Sequence, residues 1–325
     1  MAKRDLKLIY YTSENARMSL RKMSELLRKS PQRLKYAIST MKREGIIRDP
    51  FCIFDYSYFD LLLFRIYFRG GYTNDEQRRR ILSELISNSH IVSIYEFTGD
   101  FDLTVEFASQ NPTKFNREFK RLTSLIPTLN DYKIVLNLAT YICPKDYLLI
   151  DKDIQEIVVE KIGMDRRKEN FNKNENNVIK QMLTNPTLNL IEISKKCEIN
   201  SKTAKSIMKT LLKREVVKGF KYVVDTNKIG LYKSRVFLRL HNMNNEIETN
   251  FMRYLLSIKE VVQINNTVGD WDMELDIEAF DKNKVKELIM KLREDFKEIV
   301  ERFNVMDFYY DHKRSYLPMC IFEEE

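Results

Sequence analysis

The stretch YEFTGDFDLTVEF runs from Tyr95 to Phe107, and NTVGDWDMELDI runs from Asn266 to Ile277. Both carry Gly-Asp-aromatic-Asp, once at Gly99 to Asp102 and again at Gly269 to Asp272, an offset of 170. The same offset, without a gap, pairs Ile9 with Ile179, Leu20 with Leu190, Lys35 with Lys205 and Asp55 with Asp225. It also pairs Arg65 with Arg235 and Arg69 with Arg239, and it drifts only near residue 130. So long a register points to two copies of one unit, and such repeats are read before any fold.

Within each copy the hydrophobic period changes partway. Leu20, Met23, Leu26 and Leu27 mark a short amphipathic helix. Ser30-Pro31 then reads as an N-cap and first turn, followed by Leu34, Ala37, Ile38 and Met41 at helical spacing. Gly45 is placed to end that helix, and Ile46-Ile47 begins extended chain. The second copy repeats the plan, with Asn200 as N-cap before Ala204, Ile207, Met208 and Leu211. A further helix precedes each pair, around residues 5–12 and 174–183, so each copy opens with a helix-turn-helix.

The remainder of each copy follows the order βαββαβ. LLLFRIYFR, IVSIYEF, FDLTVEF and YKIVLNLA are the strands of the first, with helices near Arg80 to Ile86 and after Asn111-Pro112. YKSRVFLRL, VVQINNTV, WDMELDIEA and a strand near Phe303 to Tyr309 serve the second, with Asp281 capping its later helix. That order makes an antiparallel sheet with helices on one face, the ferredoxin-like arrangement. The fold class is therefore α+β: two copies of a winged-helix-like helix-turn-helix followed by a ferredoxin-like domain. The boundaries are 1–50, 58–150, a charged and partly helical linker 151–170, 171–220 and 228–325.

Composition narrows the function classes. The chain has 325 residues, 43% of them hydrophobic and 31% charged, enough for two to four soluble domains. No stretch reads as a secretion signal or membrane span, because Arg65 breaks the most apolar run. Cys52, Cys143, Cys197 and Cys320 form no CxxC pair, and His90, His241 and His312 share no ligand spacing. The expectation is a cytoplasmic protein with no metal, no cofactor and no disulfide framework. The net charge of +8 is uneven: residues 1–49 carry +8 and residues 170–219 carry +6. Two basic segments on a mildly acidic body suit two modules that touch a polyanion.

A helix-turn-helix followed by βαββαβ with a Gly-x-x-Asp turn resembles the Lrp/AsnC family of feast/famine transcription regulators. The run NARMSLRKMSELLRKSPQRLKYAISTMKREGIIRD, Asn15 to Asp49, and the turn TGDFD carry the resemblance. Members carry one unit per chain and dimerise, so the resemblance implies an intramolecular pseudo-dimer here, with further self-association through the ferredoxin-like domains. It implies double-stranded DNA as partner and an amino acid as effector, and it implies that the chain is not an enzyme. Sirohaem decarboxylases resemble the same arrangement and stand as an alternative, as does an architectural DNA-binding protein without an effector.

The outward stripe of the first recognition helix supplies the candidate DNA contacts. Gln32, Arg33 and Tyr36 lie in its first two turns, where base edges come within reach. Arg17, Lys29, Lys35 and Arg43 are placed for the backbone, and Ser30 at the start of the helix is a further candidate contact. The second copy offers Ser201, Lys202, Thr203, Lys205 and Lys209, without arginine, glutamine or aromatics, so it reads sequence less well. Gly99, Asp100, Asp102, Gly269, Asp270 and Asp272 are the candidate effector contacts. Glycine lets the backbone approach a ligand, and aspartate accepts from an ammonium group. A plain hairpin turn would use the same residues.

Overall fold

The computed structural model describes residues 5–149 and 158–323. The chain opens with α1 (Leu6–Glu14), α2 (Leu20–Leu27) and α3 (Pro31–Arg43). Ser30 caps α3 by accepting from Arg33 N, and Pro31 sits in the first turn, where a missing N–H costs nothing. Gly45 at φ +66° ends it, and β1 (Ile47–Phe54) leads away. There follow β2 (Leu62–Arg69), α4 (Asp75–Ser87), β3 (Ile91–Thr98), β4 (Leu103–Ser109), α5 (Pro112–Leu125) and β5 (Asp131–Ile142). Asn111 caps α5.

The expected linker is only partly described. Residues 151–157 lie outside the described part, and Glu160–Gly163 forms β6 on the edge of β5. The order then recurs as α6 (Lys173–Thr184), α7 (Leu190–Lys196), α8 (Ser201–Lys213), β7 (Val217–Val224) and β8 (Tyr232–Leu240). It ends with α9 (Asn245–Ser257), β9 (Val261–Val268), β10 (Met273–Ala279), α10 (Lys282–Asp295) and β11 (Val300–Arg314). Asn200 and Asp281 cap α8 and α10. Where Gly45 stood, Glu215 takes φ +60°, a left-handed conformation that costs a side-chain-bearing residue about 1 kcal/mol.

The two helical headpieces exchange strands. β1 pairs antiparallel with β7, Cys52 opposite Phe220. Phe51 and Phe54 of β1 join the core of α6 to α8, with Val178, Ile193 and Leu211. Tyr222 and Val224 of β7 join the core of α1 to α3, with Leu8, Met23 and Leu34. Neither headpiece has a complete core without the other half's strand.

The sheets also merge. Strand order is β5-β2-β4-β3 in the first half and β11-β8-β10-β9 in the second, each antiparallel and ferredoxin-like. The long β11 bridges β8 to β3, and β5 bridges β2 to β9, so all these strands close into a ring. Helices α4 and α5 cover one arc through Phe64, Ile66, Phe107 and Phe119. Helices α9 and α10 cover the other through Val236, Leu275, Phe251 and Leu292. β2, β3, β4 and β10 are buried along nearly their whole length, whereas the bridging β5 and β11 keep exposed positions.

A ring of about eight strands leaves an interior just wide enough for side chains. Here that interior is partly ionic. Arg65 is 1% exposed and Arg235 is 0% exposed. Arg65 donates to Glu106 Oε1 at 2.8 Å and pairs with Glu274 across the ring. Arg235 grips Asp276 with Nε at 2.6 Å and Nη2 at 2.9 Å, and donates to Tyr67 Oη at 2.9 Å. Tyr67 Oη in turn donates to Glu274 Oε1 at 2.7 Å. Burial alone would lower the pKa of both arginines, but the carboxylates outweigh it and hold them raised. Outside the ring, Glu96 accepts from Tyr72, Arg78 and His312, tying α4 to β3 and β11. Burial pushes its pKa up, yet these three bonds bring it down to about 2.

Two expectations follow. Arg235→Met strands Asp276 as a buried charge, since its two bonds come from that guanidinium, and should cost about 3–5 kcal/mol, measured by urea unfolding. Glu96 has a depressed pKa, so its contribution is full above about 4.5 and is lost as pH falls toward 2. The stability gap between wild type and Glu96→Gln should therefore shrink over that window; a gap independent of pH would refute the assignment.

Candidate functional site

Two places concentrate exposed, chemically able side chains. The first is the outer face of α3. Gln32, Arg33, Lys35, Tyr36 and Arg43 are all exposed, Tyr36 at 70%. Tyr36 stands between basic residues on this face, with Arg33 and Lys35 beside it. Ser30 is occupied as the helix cap. Lys29 is paired with Asp5. Arg17, expected on a phosphate, is turned inward: its Nε donates to Pro186 O at 2.6 Å and its guanidinium lies 4.0 Å over the Phe220 ring. The two headpieces pack on each other there, which sequence spacing does not disclose. On α8, Ser201, Lys202, Lys205 and Lys209 are exposed and Thr203 is half-buried. Ser201 Oγ lies 3.1 Å from Ser194 Oγ.

The second place is a cavity of about 330 Å3 at the ring, shared by the two Gly-Asp turns. Asp100 and Phe101 line it from one turn, Asp270 and Trp271 from the other. Gly99 and Gly269 take φ +137° and +150°. A Cβ on Gly99 would meet Met306 Cγ at 3.3 Å, and one on Gly269 would meet Val135 Cγ1 at 2.8 Å. Each turn thus lies against a bridging strand of the other half, and glycine is what lets it approach.

The aspartates divide in role. Asp102 Oδ2 accepts from Gly70 N at 2.5 Å, and Asp272 Oδ2 accepts from Leu240 N at 2.8 Å. These second aspartates tie the turn to the end of the neighbouring strand. The first aspartates line the cavity. Asp100 Oδ2 accepts from Asn304 Nδ2 at 2.5 Å, and Asp270 pairs with Lys133 at 2.5 Å. Arg69, Arg239 and Arg302 complete the charged wall, with Phe237 and Phe303 as apolar surface. Four cations against two carboxylates, beside aromatic rings, can hold a carboxylate and an ammonium together. Trp271 Nε1 donates to Glu274 Oε1 at 2.8 Å, so the cavity floor rests on the buried ion network.

Lys133, Arg302 and Asn304 were not singled out from the sequence. They stand on β5 and β11, where the 170-residue register has already drifted, so the repeat did not flag them. Arg69 and Arg239 did recur at that offset. Among the described residues no group of three His, Cys, Asp or Glu is placed to hold a metal ion. Among them, too, no helix is long and apolar enough to cross a membrane.

The family described as winged helix-turn-helix DNA-binding matches residues 1–48. No curated protein matches the chain. Among solved structures, the sirohaem decarboxylase NirDL superposes with a TM-score of 0.58 at 12% identity, covering 97% of this chain and 94% of its own. The same protein in complex with an iron-uroporphyrin III analogue gives 0.57 at 12% identity, covering 96% and 92%. An AsnC family transcriptional regulator from Agrobacterium tumefaciens gives 0.37 at 14% identity over 42% of this chain and 88% of its own. The expectation that the chain is not an enzyme therefore falls, because the fold it shares over nearly its full length is that of an enzyme.

The division of labour within the turns can be checked by thermal unfolding. Asp102→Ala leaves Gly70 N without its acceptor and should lower stability by roughly 1–2 kcal/mol. Asp100→Ala should stay within about 0.5 kcal/mol of wild type. Equal losses would show that both aspartates are structural.

Proposed function

We propose that this chain is a DNA-binding transcription regulator of the Lrp/AsnC type, modulated by an amino acid held between its two Gly-Asp turns. The observation that carries the reading is the exposed Gln32-Arg33-Tyr36 stripe of α3, inside the segment matched by a DNA-binding family. A helix of this kind enters a major groove with its first turns against base edges. Arginine can fork onto guanine, whereas the lysines of α8 neutralise phosphate as point charges. The two half-sites would therefore be unequal, the α3 side carrying most of the sequence choice.

The repeated element order supports reading the chain as two fused family units, with residues 1–50 and 171–220 as headpieces and 58–150 and 228–325 as sensor domains. The exchanged β1 and β7 would then do within one chain what a dimer interface does between two. An α-amino acid suits the turn cavity: Asp100 or Asp270 would accept from its ammonium group, and Arg302, Arg69 or Arg239 would bind its carboxylate.

The likeness to sirohaem decarboxylase favours a second reading, an enzyme acting on a polycarboxylate tetrapyrrole. The cationic wall of Arg69, Lys133, Arg239 and Arg302 suits the carboxylates of such a substrate.

Selection of bound DNA from a random pool at physiological salt, with and without amino acids, tests the first reading. It should enrich one asymmetric motif. Arg33→Ala should relax preference at one position by about 1–3 kcal/mol, while Lys202→Ala should weaken all sequences alike. Trp271 is the single tryptophan and lines the cavity, so its emission should change on titration with the amino acid that alters binding. No enriched motif, together with a visible absorption shift on adding iron-uroporphyrin, would favour the second reading.

A further inference from the structure

A second cavity, of about 650 Å3, opens where β5 leaves β2 and joins β9. It shares no lining residue with the cavity between the turns. The register of β5 slips between Asn137 and Ala139, a bulge of the kind that re-aims side chains beside functional sites. Leu138, the extra residue, offers its carbonyl to Met164 N at 2.8 Å.

At this slip Asn137 is 3% exposed, and its Oδ1 has no partner. The orientation of its amide is fixed from the ion network. Glu274 accepts from Asn265 Nδ2 at 3.1 Å, which leaves Asn265 Oδ1 as an acceptor. Thr140 Oγ1 donates to that oxygen at 2.9 Å, so its own oxygen must accept. Asn137 Nδ2 fills that role at 3.1 Å and also donates to Tyr56 Oη at 3.0 Å. The Asn137 carbonyl is what remains. Asn266, which also lines the cavity, has a buried Oδ1 without a partner.

Both orphans are acceptors, so an occupant must bring donors. The charge at the mouth agrees. Asp60, Asp165 and Glu248 line it, while the guanidinium of Arg166 is already held by Asp55 at 2.9 Å and Tyr58 Oη at 3.0 Å. Leu61, Leu136, Leu138 and Met164 give apolar walls. The cavity between the turns is cationic; this one is the opposite.

Among the described residues, the equivalent seam of the other half is closed by aromatic side chains. Asn137 faces Thr267 across β9, and its equivalent, Phe308, faces Phe97 across β3. The Phe308 ring packs 4.3 Å from that of Phe97, and Arg48 lies 4.2 Å over Tyr310. The equivalent seam is filled.

We propose that the β5 cavity is a second ligand site, one per chain, for a small primary amine with an apolar body. Its acceptors take the ammonium group, and its leucine and methionine walls take the carbon chain. This goes beyond the regulator reading and stands without it, since no DNA contact or turn residue enters the argument.

Calorimetric titration of the full chain with 1,5-diaminopentane, phenethylamine and hexanoate tests it. At least one amine should bind once per chain and hexanoate should not. Asp60→Asn with Asp165→Asn, both at exposed positions, should weaken that amine tenfold or more, and Asn137→Leu should abolish its binding. Asp100→Asn with Asp270→Asn should leave it bound. Failure of both amines to saturate, or binding that survives the Asp60 and Asp165 pair of changes, overturns the proposal. Loss of binding with the Asp100 and Asp270 pair would also overturn it, by placing the amine between the turns.

Discussion

Two arginines with no access to water set the terms for this structure. Arg65 and Arg235 project into a closed ring of strands, where an unpaired charge would be prohibitive and where Glu106, Glu274, Asp276 and Tyr67 meet them. Arg65 belongs to the first half and Glu274 to the second, so neither half satisfies its own ions alone. A one-residue slip of β2 or β8 would turn its arginine toward the helices and its apolar residues inward. Such a network adds little net stability over an apolar core of equal volume. What it supplies here is register, and with register comes the placing of every residue around the ring.

The ring explains why the turn cavity opens between halves and not within one. β5 and β11 each pair with a strand of both halves. Each carries side chains to the opposite turn: Lys133 to Asp270 and Asn304 to Asp100. The headpieces follow the same logic at the other level, since β1 and β7 complete each other's cores. Exchange fixes α3 and α8 relative to one another without a second chain. It also consumes Arg17, whose guanidinium is better placed against Phe220 and the Pro186 carbonyl than in solvent.

The likeness to a decarboxylase over the full length, and to a DNA-binding family over the first headpiece, describes one scaffold that serves different chemistries. On a shared scaffold, function is decided by side chains and not by the fold. This chain carries a tyrosine standing in water on α3, and a cavity with four cations and two carboxylates between its turns.

Local structure was legible in the sequence because its causes are local. Ser30, Asn111, Asn200 and Asp281 cap helices through bonds to residues two or three positions away, and periodicity sorts helix from strand. The offset of 170 was legible for the same reason, and so was the exposed stripe of α3. Closure of the ring was not, because the pairings of β11 with β3 and of β5 with β9 join segments far apart in the chain. Nor could spacing separate Asp100, which lines a cavity, from Asp102, which caps a strand end; two residues apart, they differ only in what folding brings against them. Residue type and spacing determined the elements and the repeat. Long-range pairing, which pays no heed to distance along the chain, decided which of the marked residues face a cavity, which face each other and which are sealed inside.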